Sequence, residues 1–129
     1  MTIFLADHNI EGQAELLWGA LAAGGWIELS GLRLFTFASI GLPYGSSDRQ
    51  VWQFVQSHNM LLLTGNRNMD GEDSLERTIR DENLPTALPV ITISDADRMV
   101  ESAYREACAL KLVEISMYLE ESRGAGRLY

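Results

Sequence analysis

One cysteine, three prolines and a single lysine are all that the 129 residues carry of those types. With Cys108 alone no intramolecular disulfide can form, which suits a reducing compartment, so a cytoplasmic location is expected. No apolar run nears the roughly 18 residues that a membrane-crossing helix needs, so no membrane is expected among the partners. Met1 to Asp7 has no basic stretch ahead of an apolar one, and no secretory signal is expected either. Basic residues are few and scattered: 18 acids stand against 10 bases, for a formal charge of −8. A nucleic-acid surface usually shows a basic patch, so this balance argues against tight nucleic-acid binding unless bound cations offset the acids. The GxxxxGK[ST], GxGxxG and GxSxG patterns are absent, which removes the usual nucleotide and esterase fingerprints. No HExxH accompanies His8 or His58, and both read as structural.

What is present belongs to a globular protein. A content of 47% hydrophobic and 22% charged residues excludes wholesale disorder, and the length fits one domain with a real core. The chain is organised around Met60 to Asp73, where an apolar run of strand length stops at Thr64 and passes into a loop of carboxylates and amides. Continuous apolar runs bounded by turn residues suit strands covered on both faces, as in a parallel sheet.

Thr2 to Ala6, Leu32 to Phe37, Met60 to Thr64 and Val90 to Ile93 read as the core strands. Between them, Glu11 to Ala23 reads as a helix with Ala14, Leu17, Trp18 and Leu21 on one face, closed by Gly24-Gly25. Trp26 to Leu29 reads as a short extended piece, and Ala38 to Ser47 as a loop. Ser47 should cap a helix beginning at Asp48, with Val51, Trp52 and Val55 inward. Ser74 should cap another reaching about Asp81, with Leu75 and Ile79 inward. Ser94 with Asp97 resembles a capping box for a long helix to about Glu121. Its expected buried stripe is Val100, Ala103, Tyr104, Ala107, Leu110, Met117 and Tyr118. The expectation is a single three-layer α/β domain over residues 1–121, with a mainly parallel sheet and right-handed crossovers. Residues 122–129 read as a flexible tail.

In open α/β sheets ligands gather outside the carboxyl ends of the strands. Asp7, Asn66 with Asp70, and Asp95 with Asp97 follow strand ends, and Asp48 opens the helix before the third strand. Clustered carboxylates repel unless a cation shares them, so the group suggests Mg²⁺ or Mn²⁺. Helix-start duty is the competing reading for Asp48 and Asp95. Cys108, in mid-helix, reads as a small core residue.

Three short motifs stand in order over the first 70 residues. Leu5-Ala6-Asp7-His8-Asn9-Ile10 is similar to an "LxDxNL" opening. Gly41-Leu42-Pro43 followed by Ser47-Asp48-Arg49-Gln50-Val51-Trp52 resembles "GL…sDxxVw", and Leu62-Leu63-Thr64-Gly65-Asn66-Arg67-Asn68-Met69 resembles "LLTxDxDF". Together they resemble the small PIN-like proteins. The resemblance implies a PIN-like, Rossmann-like architecture and, in active members, a metal-dependent ribonuclease, often the toxin of a toxin–antitoxin pair. It would make Asp7 and Asp48 site acids and Asn66 a site position. With Asp70 added from the following loop, the expected catalytic set is Asp7, Asp48, Asn66 and Asp70, and the expected ligands of Mg²⁺ or Mn²⁺ are Asp7, Asn66 and Asp70. RNA and an antitoxin protein would be the partners. The chain departs from the pattern where Asn66 and Asn68 replace two aspartates and His8 replaces the second acid of the opening. An amide ligates through its oxygen but brings no charge. Asp70, Glu72 or Asp73 would compensate if the loop folds back.

Two functions follow: a ribonuclease with a weakened acidic site, or a catalytically degenerate PIN-like module for binding or dimerisation. A twofold homodimer is expected, and Trp18, Trp26, Trp52 and Leu32 to Leu42 suit either its surface or the core. A flavodoxin-like or receiver-like module is set aside. It needs paired acids at the first strand end and a lysine late in the sheet, whereas His8 follows Asp7 and Lys111 lies in a helical stretch.

Overall fold

Among the described residues, five short strands form one all-parallel sheet in the order β2-β1-β3-β4-β5. They are β1 (Ile3–Ala6), β2 (Arg33–Phe35), β3 (Leu61–Thr64), β4 (Val90–Thr92) and β5 (Arg127–Leu128). The structure is a computed structural model that describes residues 2–65 and 71–128. Successive side chains alternate between the faces. Phe4, Ala6, Leu61, Leu63 and Ile91 enter one apolar cluster, and Leu5, Leu62 and Val90 enter the other. Helices α1 (Glu11–Ala23) and α6 (Ser102–Met117) cover the first face, while α4 (Asp48–Ser57) and α5 (Leu75–Glu82) cover the second. Burial on both sides is why the strands read as unbroken apolar runs.

The caps expected at Ser47 and Ser74 both form. Ser47 and Gln50 exchange side-chain bonds with each other's backbone N–H, and Ser74 Oγ accepts from the Arg77 N–H at 3.2 Å. Trp52 is buried and Trp18 and Trp26 pack against the core, so packing accounts for all three tryptophans.

Several local readings need correction. Trp26 to Leu29 is not extended but part of a helical turn, α2 (Trp26–Ser30), flanked by Gly25 and Gly31 with positive φ. The strand read to Phe37 stops at Phe35, because Thr36 caps the one-turn helix α3 (Phe37–Ile40) through a reciprocal pair of bonds with Ser39. Ser94 and Asp97 do not cap the long helix. A 3₁₀ turn over Ala96–Val100 comes first, Glu101 is extended, and α6 starts only at Ser102. The expected stripe largely faces solvent. Val100 is 75% and Met117 65% exposed, with Leu110 and Tyr118 also outward, while Ala109, Leu112, Val113 and Ile115 are buried.

The stretch read as a tail also folds back. After α7 (Leu119–Ser122), the Gly124 N–H donates to Ala87 O at 2.9 Å and the Val90 N–H to Gly126 O at 2.9 Å. Arg127 and Leu128 then pair with Val90 and Ile91. Gly124 has φ 83°, and a Cβ there would stand 2.9 Å from Pro85 O. Gly124→Ala is therefore expected to destabilise the fold by about 2 kcal/mol, measured by urea denaturation.

The hand of this last connection is unusual. The β1–β2 step crosses the sheet one way over the α1 face, and the β2–β3 and β3–β4 steps cross the other way over the α4–α5 face. Those three share one hand. The β4–β5 step continues in the second direction but over the α6 face, so its hand is opposite. The expectation of uniformly right-handed crossovers fails here. The strand order itself is that of flavodoxin-type sheets, which carries fold but not function.

Candidate functional site

The strand order reverses at β1, with β2 on one side and β3 on the other, and such a switch point is where open α/β sheets take their ligands. Asp7 follows β1 at that point. Its N–H donates to Leu63 O at 2.8 Å, extending the ladder by one residue. Leu5 and Leu62 face α4 and α5, so the alternation carries Asp7 and Thr64 to the same side. Thr92 is the register partner of Thr64 and joins them. The carboxyl edge thus presents a polar row of Asp7, Thr64 and Thr92 beneath the α4–α5 layer.

Each member of the row has a defined partner. Thr64, fully buried, donates from Oγ1 to Asp7 Oδ2 at 2.7 Å. Burial pushes the Asp7 carboxyl above its ordinary range, and the negative charge of Asp48 pushes it further. The Thr64 hydroxyl and the His8 backbone N–H pull it the other way without winning. Asp48 begins α4 and also accepts, at Oδ2, from the Leu75 N–H at 3.2 Å, so it serves the start of α5 as well. At the other end of the row, Arg127 Nη1 donates to Thr92 Oγ1 at 2.7 Å and Arg127 Nε pairs with Glu76 Oε1 at 2.7 Å. The Arg127 side chain is only 6% exposed.

The structure therefore brings Asp7 and Asp48 together. Asn66 and Asp70, with Asn68, lie outside the described residues. The compensation expected from Glu72 and Asp73 is not made at Asp7. Arg49 holds that segment instead, through Asp73 Oδ1 at 3.0 Å and Glu72 O at 2.6 Å, while also binding Asp81 and Glu82. Arg49 keeps the Asp81 carboxyl below its usual range, and the Gln53 amide with Arg49 does the same for Glu82. Asp95 and Asp97 do not join the site. Both are exposed, and Asp95 lies on the α6 side, where its N–H donates to Tyr104 Oη at 3.1 Å.

His8 is solvent-facing, 3.6 Å from Glu11 and stacked on Tyr44 at 4.0 Å. His58 stacks on Phe54 at the end of α4. Cys108 is half-buried, and burial raises its thiol pKa, which suits a neutral packing group rather than a nucleophile. Among the described residues, no group of three or more His, Cys, Asp or Glu side chains is placed to hold a metal ion.

No family model, curated protein or solved structure matches this chain. The site rests on its geometry. Sequence reasoning placed Asp7 and Asp48 but missed Thr64, Thr92, Glu76 and Arg127 as parts of one row. A signal for the threonines existed: two apolar strand runs, Leu61-Leu62-Leu63-Thr64 and Val90-Ile91-Thr92, each end on threonine.

Proposed function

We propose that the Asp7 edge is the active site of a Mg²⁺- or Mn²⁺-dependent ribonuclease of PIN-like type, with a weakened acidic site. The supporting observation is the pair of carboxylates at the switch point, where the charge of Asp48 and burial disfavour ionised Asp7. A cation shared by both would offset that cost. Mg²⁺ is commonly held by one or two carboxylates, with water and substrate phosphate completing its shell, and Asp7 with Asp48 fits that donor set. Asn66 and Asp70 are the further ligands in this reading. When bound, the ion would activate water and neutralise charge on the departing oxygen. Thr64 fixes the Asp7 carboxylate through Oδ2, and the His8 backbone N–H supports it as well. The Leu75 N–H holds the Asp48 carboxylate through Oδ2. An RNA substrate and a protein antitoxin belong to this reading.

A degenerate binding or dimerisation module is the second reading. It is favoured by the convergence of only Asp7 and Asp48 among the described residues, and by amides at positions 66 and 68. Calorimetric titration with Mn²⁺ and cleavage of single-stranded RNA separate the two. The parent should bind the ion weakly, Asn66→Asp about tenfold more tightly, and Asp7→Asn not at all. Binding by Asp7→Asn equal to that of the parent would remove the metal site. Ion binding without cleavage, even in Asn66→Asp, would select the second reading.

A further inference from the structure

On the opposite face of the sheet, where α6 crosses the carboxyl ends of β3 and β4, lies a cavity of about 330 Å³. Leu17, Leu63, Ile91 and Leu112 form its apolar wall. The helix contributes Tyr104, Cys108 and Lys111, spaced three to four residues apart and so aligned on one face. The Tyr104 hydroxyl accepts from the Asp95 N–H and lies beside the Cys108 thiol. Burial keeps that thiol protonated, so the interior carries no charge of its own from Cys108.

Lys111 stands at the mouth. It is the only lysine of the chain, it is exposed, and among the described residues it has no ion pair. Glu114 and Glu121 border the neighbouring groove that Lys111 also lines, and they are the acids a ligand would have to outcompete. An apolar pocket whose one charged lining residue is a lysine, with Arg98 farther off over the Tyr104 ring, matches a ligand with an apolar body and a single negative charge. A phosphate would call for a fork of donors or a helix start, and α6 instead turns its side into the cavity.

We propose that this cavity binds a small amphipathic carboxylate, with its chain against Leu17, Leu63, Ile91 and Leu112 and its head group at Lys111. At roughly 30 Å³ for each small group in a condensed phase, the volume holds about ten heavy atoms, the size of octanoate. This site is independent of Asp7, which faces the α4–α5 layer on the other side of the sheet.

Octanoate is the probe, octanol the neutral control, and Cys108 a built-in reporter because it is the only thiol. Calorimetry should show one octanoate per chain, bound about tenfold more tightly than octanol. Lys111→Met should bring the two ligands level while leaving octanol binding unchanged. Saturating octanoate should slow alkylation of Cys108 by iodoacetamide. Ala107→Phe, at an exposed position on the cavity rim, should block both ligands while circular dichroism reports an intact fold. If octanoate does not bind, or binds no better than octanol, the proposal fails. It fails equally if Lys111→Met keeps the preference, or if bound octanoate leaves Cys108 unprotected. Should Ala107→Phe not fold, the thiol protection and the Lys111→Met comparison decide alone.

Discussion

Replacing Arg127 with leucine is expected to lower the stability of the fold by about 3 kcal/mol. The guanidinium is nearly enclosed, bonded to Thr92 and paired with Glu76 at 2.7 Å. Removing it leaves the half-buried Glu76 carboxylate without its cation and Thr92 without its donor from Arg127. Breaking one partner of such a pair costs more than the pair itself contributes, because the remaining charge is left uncompensated. Removing both should recover much of the loss, so Arg127→Leu with Glu76→Leu is expected to be more stable than Arg127→Leu alone. Urea denaturation of the three variants measures the coupling. A change in Arg127→Leu within about 0.5 kcal/mol of the parent, the range of ordinary surface substitutions, would show that β5 is not clamped as described.

Asp7→Asn should reverse its effect according to the ion present. In the folded chain, burial and Asp48 raise the Asp7 carboxyl above its reference value of 3.8. Between that value and the folded pKa the native state binds more protons than the unfolded one. Parent stability therefore falls as pH climbs through this window and stays lower above it. Asparagine keeps an oxygen to accept from Thr64 and carries no charge. In metal-free buffer at neutral pH, Asp7→Asn should thus melt at a higher temperature than the parent, and its stability should lack that fall. With Mn²⁺ at a hundred times its dissociation constant, only the parent should gain, by about 2.7 kcal/mol. Thermal melts across the acid to neutral range, with and without Mn²⁺, give both comparisons. A metal-free parent that outlasts Asp7→Asn at neutral pH would mean that the ionised carboxylate is not under the stress described.

The parts of the fold legible in the sequence were those governed by neighbours a few residues away. The α1 boundaries were expected at Glu11 and Ala23 and stand there. Ser47 and Ser74 cap their helices because a cap needs only a hydroxyl and the N–H three residues on. Local reasoning failed where two local signals competed. Phe35 to Phe37 looks like continued strand, but the bonds between Thr36 and Ser39 start a helical turn there. In α6 two apolar faces compete: Leu110 and Met117 fit a helical period as well as Ala109, Leu112 and Val113 do, and packing against the strands selects the second.

For the site, Asp7 was legible because a lone acid at the end of an apolar strand has few structural excuses. Asp48 was legible both as a helix start and as a candidate site acid, but its approach to Asp7 depends on α4 packing over β1 and β3. The polar row was not legible. It joins Thr64, Thr92 and Arg127 from three strands, and only the pairing of Thr64 with Thr92, and of Val90 with Arg127, lines them up.

By itself, then, the sequence determined the α/β class, the parallel sheet and the identity of its inner strands, since apolar period and capping chemistry act over one or two turns. Tertiary structure alone decided that Arg127 and Leu128 close the sheet, over the face opposite to the one its two preceding steps use. It also decided that Asp7 meets Thr64 and Asp48 rather than the acids at Asp73 and Asp95. Register and the choice of face are set by contacts between residues tens of positions apart, and no local period encodes them.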